Sequence, residues 1–368
     1  MENWFFTHKF DDSYIFSNTV DSVTVYFDIS IPRECQEPSN FHVHEFCGNY
    51  KESDLKKINH KKNNSKRNVG YLIPALYLAG EEHHYDTDDG DFEYLSCYID
   101  SVIKNMVPSL LKRYKNKIND TSINNEFHIR DLIEDKQIFV CLTKDGNRFM
   151  NNFNFKDYYI QFYSAGIIPL KNGISPPHDS IMSHIVIPEN SITIIKINEE
   201  ISSNNFIKHI LTESLPYEEK PLFVFFNLYQ IVELLMEKVL ANEYSSVISK
   251  LVASNNGNAS SHELKVLQGE LSELTSEKKR LNKLVGEYCN FNEIDSIENK
   301  HEINSFLHSV GKNNEDLVIN GIYTARNIIF HSYRSISNPQ LIASVNKVFN
   351  TIVVSMLLSY KPKQMSEA

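Results

Sequence analysis

"PLFVFFNLYQIVELLM", residues 221–236, is the most apolar run in the chain, and the character of the sequence changes there. It is shorter than the roughly 20 apolar residues that span a bilayer, and it contains Asn227, Gln230 and Glu233. It therefore reads as a buried helix, beginning near Pro221, a residue type tolerated in a first helical turn, and running to about Ala253. After about residue 216 the strand signals stop and helix signals follow one another. The chain divides accordingly into an α+β domain over 1–215 and an all-α helical bundle over 216–368. At 368 residues it is long enough for two cores.

In the first part, "DSVTVYFDI", "NFHVHEF", "KQIFVCLT", "DYYIQFYS", "SHIVIP" and "SITIIKI" are short β-branched or aromatic runs bounded mostly by Asn, Asp, Gly or Pro, so each is expected to be a strand. "EYLSCYIDSVIKNMVPSLLKRY" has helical spacing with Pro108 inside it, which divides or kinks a helix. "KKINHKKNNSKRN", 56–68, is expected to be a polar loop.

In the second part, "SNNGNASS" breaks the chain after the first helix. In the next segment Leu264, Leu267, Leu271, Leu274, Leu281, Val285 and Tyr288 follow heptad steps, with Lys278 in one seam position. This segment is expected to fold back on the first helix as a long hairpin arm; a coiled-coil dimer through 262–288 is the alternative. "HEINSFLHSVG" follows, with Gly311 as a C-terminal stop. A helix is then expected from Asn313 or Asn314, with Glu315 and Asp316 in its first turn. Asn338 and Pro339 read as the start of a last helix running to Tyr360.

Composition limits the function. The net charge is −10, against general attraction to nucleic acid. It is unevenly placed, about −8 before residue 216 and −2 after it, so a local basic site fits only the second part. Cys35, Cys47, Cys97, Cys141 and Cys289 are odd in number and scattered, with no Cys-x-x-Cys, which suits a reducing cytoplasm. "MENWFFTHKFDD" lacks the pattern of a secretion signal. The expectation is a cytoplasmic protein with no membrane association.

The penultimate helix carries "ARNIIFHSYR", 325–334, where Arg326, Asn327 and His331 interrupt an apolar pattern. An Arg-x4-His pattern arises by chance about once in a chain of this composition, so its context carries the weight. That context is the penultimate helix of a C-terminal bundle, with a polar Asn directly after the Arg. In these features residues 216–362 resemble the HEPN superfamily, helical domains with an Arg-x(4–6)-His motif. The resemblance implies a metal-independent ribonuclease acting as a homodimer without a cofactor, of the kind found in antiphage and toxin systems. Residues 1–215 show no match, and the heptad-bearing hairpin is not part of the family pattern.

The chemistry fits these residue types. RNA is cut when its own 2′-OH attacks the neighbouring phosphate, leaving a 2′,3′-cyclic phosphate and a 5′-OH. His331 has the side chain that titrates near neutral pH and moves protons. Arg326 offers a permanently charged donor fork for the phosphate oxygens. Asn327, one turn before His331, is placed to orient the imidazole or hold a phosphate oxygen. Arg326 and His331 point about 140° apart on a regular helix, so either the helix loosens or a second subunit completes the site. Glu233 on the first bundle helix is a further, weaker candidate. The expected partners are RNA, with tRNA one candidate, a second copy of the chain, and a phage or host trigger bound by the N-terminal domain.

Competing readings are concrete. Arg326 and His331 near a helix C-terminus also complement the helix dipole without any chemistry. A HEPN-like bundle that binds nucleic acid, nucleotide or a partner without cleaving is the second functional class. A scaffold dimerising through its heptads is the third. "EEHHYDTDDGD", 81–91, is rich in metal-ligand types but lacks a calcium-loop register, and reads as a solvated acidic loop. His42 and His44 share one face of an expected strand, and "ISPPHDS" with His178 and Asp179 reads as a rigid loop. No phosphate-binding Gly-rich loop or nucleophile elbow is present.

Overall fold

The computed structural model describes residues 4–10, 13–18, 23–27, 41–62, 65–78, 95, 97–105, 126–128, 133–143, 155–171, 175–177, 180–255, 260–289, 296–336, 338 and 340–363. The chain forms two compact units. The first comprises residues 1–176 and 185–196, the second 177–184 and 197–368.

The first unit is mixed α and β. Strands β1 (Trp4–Phe10), β2 (Ser13–Asn18), β3 (Val23–Phe27) and β7 (Glu126–His128) form one sheet in the order β1-β2-β3-β7. β4 (Phe41–Cys47), β5 (Lys56–Lys62), β6 (Ser65–Pro74), β8 (Gln137–Thr143) and β9 (Ser191–Ile195) form a second, in the order β4-β8-β6-β5-β9. Pairing is antiparallel except for β3–β7 and β5–β9. Ile58, Leu72, Val140, Leu142, Ile192 and Ile194 from the second sheet pack with Phe162 in one core.

Three sequence expectations are corrected here. The stretch 56–68 is not a loop: it forms β5 and the start of β6. Its lysines and asparagines hide a strand whose Ile58 is fully buried, and whose Lys56 ammonium donates to the Glu189 carbonyl at 2.7 Å and pairs with Asp54 at 3.1 Å. "DYYIQFYS" is not a strand but a 3-10 turn, Phe155–Tyr158, leading into a short helix, Tyr159–Ser164. Its first five helical residues are all buried, and a run without a polar face carries no period to separate helix from strand. "SHIVIP" forms no strand either; Ile181–His184 is a 3-10 turn and Val186 is exposed. The strands at Trp4–Phe10, Ser13–Asn18 and Glu126–His128 went unread. The segments 81–91, 178–179 and the residues around Pro108 lie outside the described residues, whereas 97–105 is helical.

The second unit is helical. Short helices Glu199–Ser202 and Asn205–His209 precede α1 (Pro221–Asn255), α2 (Ser261–Thr275), α3 (Glu277–Lys283), α4 (Ile297–Ser309), α5 (Val318–His331) and α6 (Gln340–Ser359). Between Val224 and Val239, α1 buries Phe225, Leu228, Ile231, Val232 and Leu235 along one broad face. Its Phe225 ring lies 5.1 Å from that of Phe349 on α6. With a mean hydropathy of 1.7, α6 is long and apolar enough to span a membrane by length and composition. It is a core helix, with Ile342, Val345, Phe349, Ile352 and Val353 all buried, and Asn346 ties it to α1 through a 2.7 Å hydrogen bond to the Pro221 carbonyl.

The arm folds back as expected, but its helix is not continuous. Ser276 ends α2 and caps α3 in an extended conformation, and a π-helical turn, Leu284–Tyr288, follows. Of the expected seam, Leu267, Leu274, Leu281 and Tyr288 are buried while Leu264 is 48% exposed. Alternate seam positions therefore face inward, as helix packing within one chain requires. The start of α5 is also corrected: it begins at Val318, not Asn313 or Asn314. Asn304 explains the delay. Its side chain accepts from the Glu315 amide at 2.9 Å and donates to the Glu315 carbonyl at 3.3 Å, which holds that segment out of the helix. Gly311 (φ +72) does end α4, with the paired Gly311→His308 and Lys312→Leu307 backbone bonds of a Schellman motif. Asn338 accepts from the Gln340 amide at 3.0 Å, an N-cap for α6.

Candidate functional site

The break at Ser276 shapes the site around Arg326. It puts Glu277 in the first position of α3, where its carboxylate accepts the Tyr229 hydroxyl of α1 at 2.7 Å. Arg326 of α5 reaches the same carboxylate at 3.4 Å and Glu233 of α1 at 3.7 Å. Both distances are those of ion pairs, and neither contact is a hydrogen bond. The guanidinium donates to Asn327 Oδ1 at 3.0 Å and sits over the rings of Phe330 (4.9 Å) and Tyr229 (5.2 Å). Arg326 is thus a three-helix junction, with a side chain only 18% exposed.

The same spacing rules account for the neighbours. Tyr229 and Glu233 are one turn apart on α1, as Arg326 and Phe330 are on α5, so each charged group is backed by a ring on its own helix face. Phe330 packs edge-on against Phe226 at 4.5 Å, and Phe226 contacts the half-exposed Phe223 at 6.4 Å. Burial pushes the Glu233 carboxyl up; Arg326 pulls it down and Glu277 and Glu237 push it up. Burial, reinforced by the hydrogen bond to Glu277, raises the Tyr229 hydroxyl far above its ordinary range, so it stays a donor.

His331 sits apart. It is the last residue of α5, exposed, and has no hydrogen-bond or ionic partner among the described residues. The helix stays regular up to His331; the Ser332 amide still donates to the Ile328 carbonyl at 2.7 Å before a 3-10 turn, Tyr333–Ser335. Loosening of the helix therefore does not bring Arg326 and His331 together, and within one chain they face directions about 140° apart. Arg326, Asn327 and Glu233 are gathered; His331 is not. Tyr229, Glu277 and Phe330 were missed. The ring positions were open to i, i+4 counting, whereas Glu277 comes near only through the unforeseen break at Ser276.

Elsewhere, His42 and His44 share a face of β4 with ring centroids 6.4 Å apart. Burial, with help from His42, lowers the His44 pKa. Among the described residues no three His, Cys, Asp or Glu side chains cluster as metal ligands. Comparison of the chain with protein-family models, curated proteins and solved structures returned no match.

Proposed function

We propose that the helical unit is a HEPN-type endoribonuclease that cuts RNA without a metal, as a homodimer, in a cytoplasmic antiphage or toxin role. The observation carrying this reading is a held guanidinium and an exposed imidazole in the last two turns of one helix whose buried face is apolar. In the proposed reaction Arg326 neutralises charge developing on the phosphate oxygens. His331, supplied by the second subunit, moves the proton between the 2′-OH and the leaving 5′ oxygen. Asn327 already accepts from Arg326, which leaves its amide N–H groups to donate to phosphate. Glu233, more exposed and farther from Arg326 than Glu277, is the pairing a substrate phosphate displaces. The N-terminal unit would restrain the nuclease or sense a phage or host trigger.

The test is cleavage of total RNA and tRNA in EDTA by wild type, Arg326→Ala and His331→Ala, with oligomeric state measured in parallel. Cleavage by wild type, and a folded, dimeric but inactive His331→Ala, is the expected pair of results. A His331→Ala protein cutting at the wild-type rate would sink the proposal.

A second reading has its own observation. Arg326 is already neutralised by Glu277 and Glu233 and stacked on two rings, as a structural cross-link would be. A non-catalytic, ligand-binding bundle of this kind loses stability with Arg326 and loses nothing with His331.

A further inference from the structure

The chain leaves a cavity where α2 bends into α3. Its volume is about 420 Å³, within the range of small-ligand pockets. Its walls carry Lys279, Arg280, Lys283, Asn282, Glu273 and Glu287, and Gly286 leaves part of the π-turn without a side chain. The other charges have partners. Lys279 pairs with Glu273 at 3.0 Å, Lys283 with Glu243 at 2.6 Å, and Glu287 with Lys363. Arg280 alone has none among the described residues, and its Nε is buried without a hydrogen bond.

We propose that this pocket binds a phosphorylated sugar, free or as the ribose phosphate of a nucleotide. Arg280 takes the phosphate oxygens, since a guanidinium fork matches them, with Lys279 adding charge at the rim. Glu273, Glu287 and Asn282 supply acceptors for sugar hydroxyls. Among the described residues no aromatic side chain lines the cavity, so none of them stacks a base. The inference stands independently of the nuclease reading.

Calorimetric titration of the full chain with ribose 5-phosphate, AMP, inorganic phosphate and ribose tests it. Ribose 5-phosphate is expected to bind saturably at one site per chain, more tightly than phosphate, with ribose giving no heat. AMP binding more tightly than ribose 5-phosphate would identify a nucleotide as the source; equal or weaker binding would identify the free sugar phosphate. Folded Arg280→Gln should lose at least tenfold in affinity, and Arg280→Lys less. The exposed Lys279→Ala should lose severalfold, which covers the case in which Arg280→Gln does not fold. Lys250→Ala, outside the pocket, should bind as wild type. Absence of saturable binding at millimolar ribose 5-phosphate, or equal loss with Lys250→Ala, would overturn the proposal.

Discussion

Replacing Arg326 with Met keeps the apolar stem and removes the charge, which isolates what the guanidinium contributes. The loss comprises two ring contacts at about 0.5–1 kcal/mol each and a hydrogen bond to Asn327 worth about 1 kcal/mol. To this are added two partly exposed ion pairs, each below about 1 kcal/mol after screening. The buried Arg326 Nε has no hydrogen-bond partner, and removing it returns about 1 kcal/mol. These terms share one side chain and do not simply add; the net expectation is a destabilisation of about 1–2 kcal/mol, or a 5–30-fold change in local opening. Because the chain has two units, a single melting curve does not isolate the effect. Hydrogen exchange read on peptides from α1 and α5 does. Those peptides should exchange faster in Arg326→Met and within about 0.5 kcal/mol of wild type in His331→Ala, whose side chain is exposed. Unchanged exchange in Arg326→Met, or equal acceleration in both variants, would refute the three-helix junction.

Three further predictions follow from other contacts. Burial would raise the Glu243 carboxyl, but hydrogen bonds from Lys283, Lys363 and Tyr288 outweigh it and hold the group down to about 2, against an ordinary 4.5. A pKa depressed on folding means the contribution is complete above about 4.5 and is lost as pH falls towards 2; Glu243→Gln should flatten the acid limb of a pH–stability profile in that window. Gly321→Ala places a Cβ 2.4 Å from the Ile303 Cγ2 methyl at the α4–α5 contact. Its overpacking cost of about 1–3 kcal/mol should exceed the roughly 1 kcal/mol gain in helix propensity, so a more stable variant in urea titration contradicts the packing. Leu267→Asp, at a buried seam position, should cost about 3 kcal/mol or more through an unpaired buried charge, whereas Leu264→Asp should stay within about 0.5 kcal/mol; equal effects would mean the seam is used differently.

How much of this was legible depended on which signals the residues carry themselves. Pro221, Gly311 and Asn338 mark helix ends through their own backbone or side-chain preferences, and all three stand where those preferences predict. β5 was hidden because Lys56, Asn59 and His60 look solvated in a sequence. Two of them meet partners far along the chain, the Glu189 carbonyl for Lys56 and the Tyr158 hydroxyl for His60 Nε2. The late start of α5 has the same cause, a bond from Asn304 on another helix. At the site, Arg326, Asn327 and Glu233 could be found from their polarity within apolar helices. Glu277 could not, since it sits in a charged run and becomes part of the site only through the bend at Ser276.

In the proposed reaction RNA's own 2′-OH is the nucleophile at a site built from Arg326 and His331. This is tested most directly with a short RNA that the protein cuts at one position, compared with the same RNA carrying a 2′-deoxy sugar at that position, both in EDTA. The expected products are a 2′,3′-cyclic phosphate and a 5′-OH from the first, with no cut in the second. Cleavage of the deoxy substrate, or products ending in a 5′-phosphate, would contradict it.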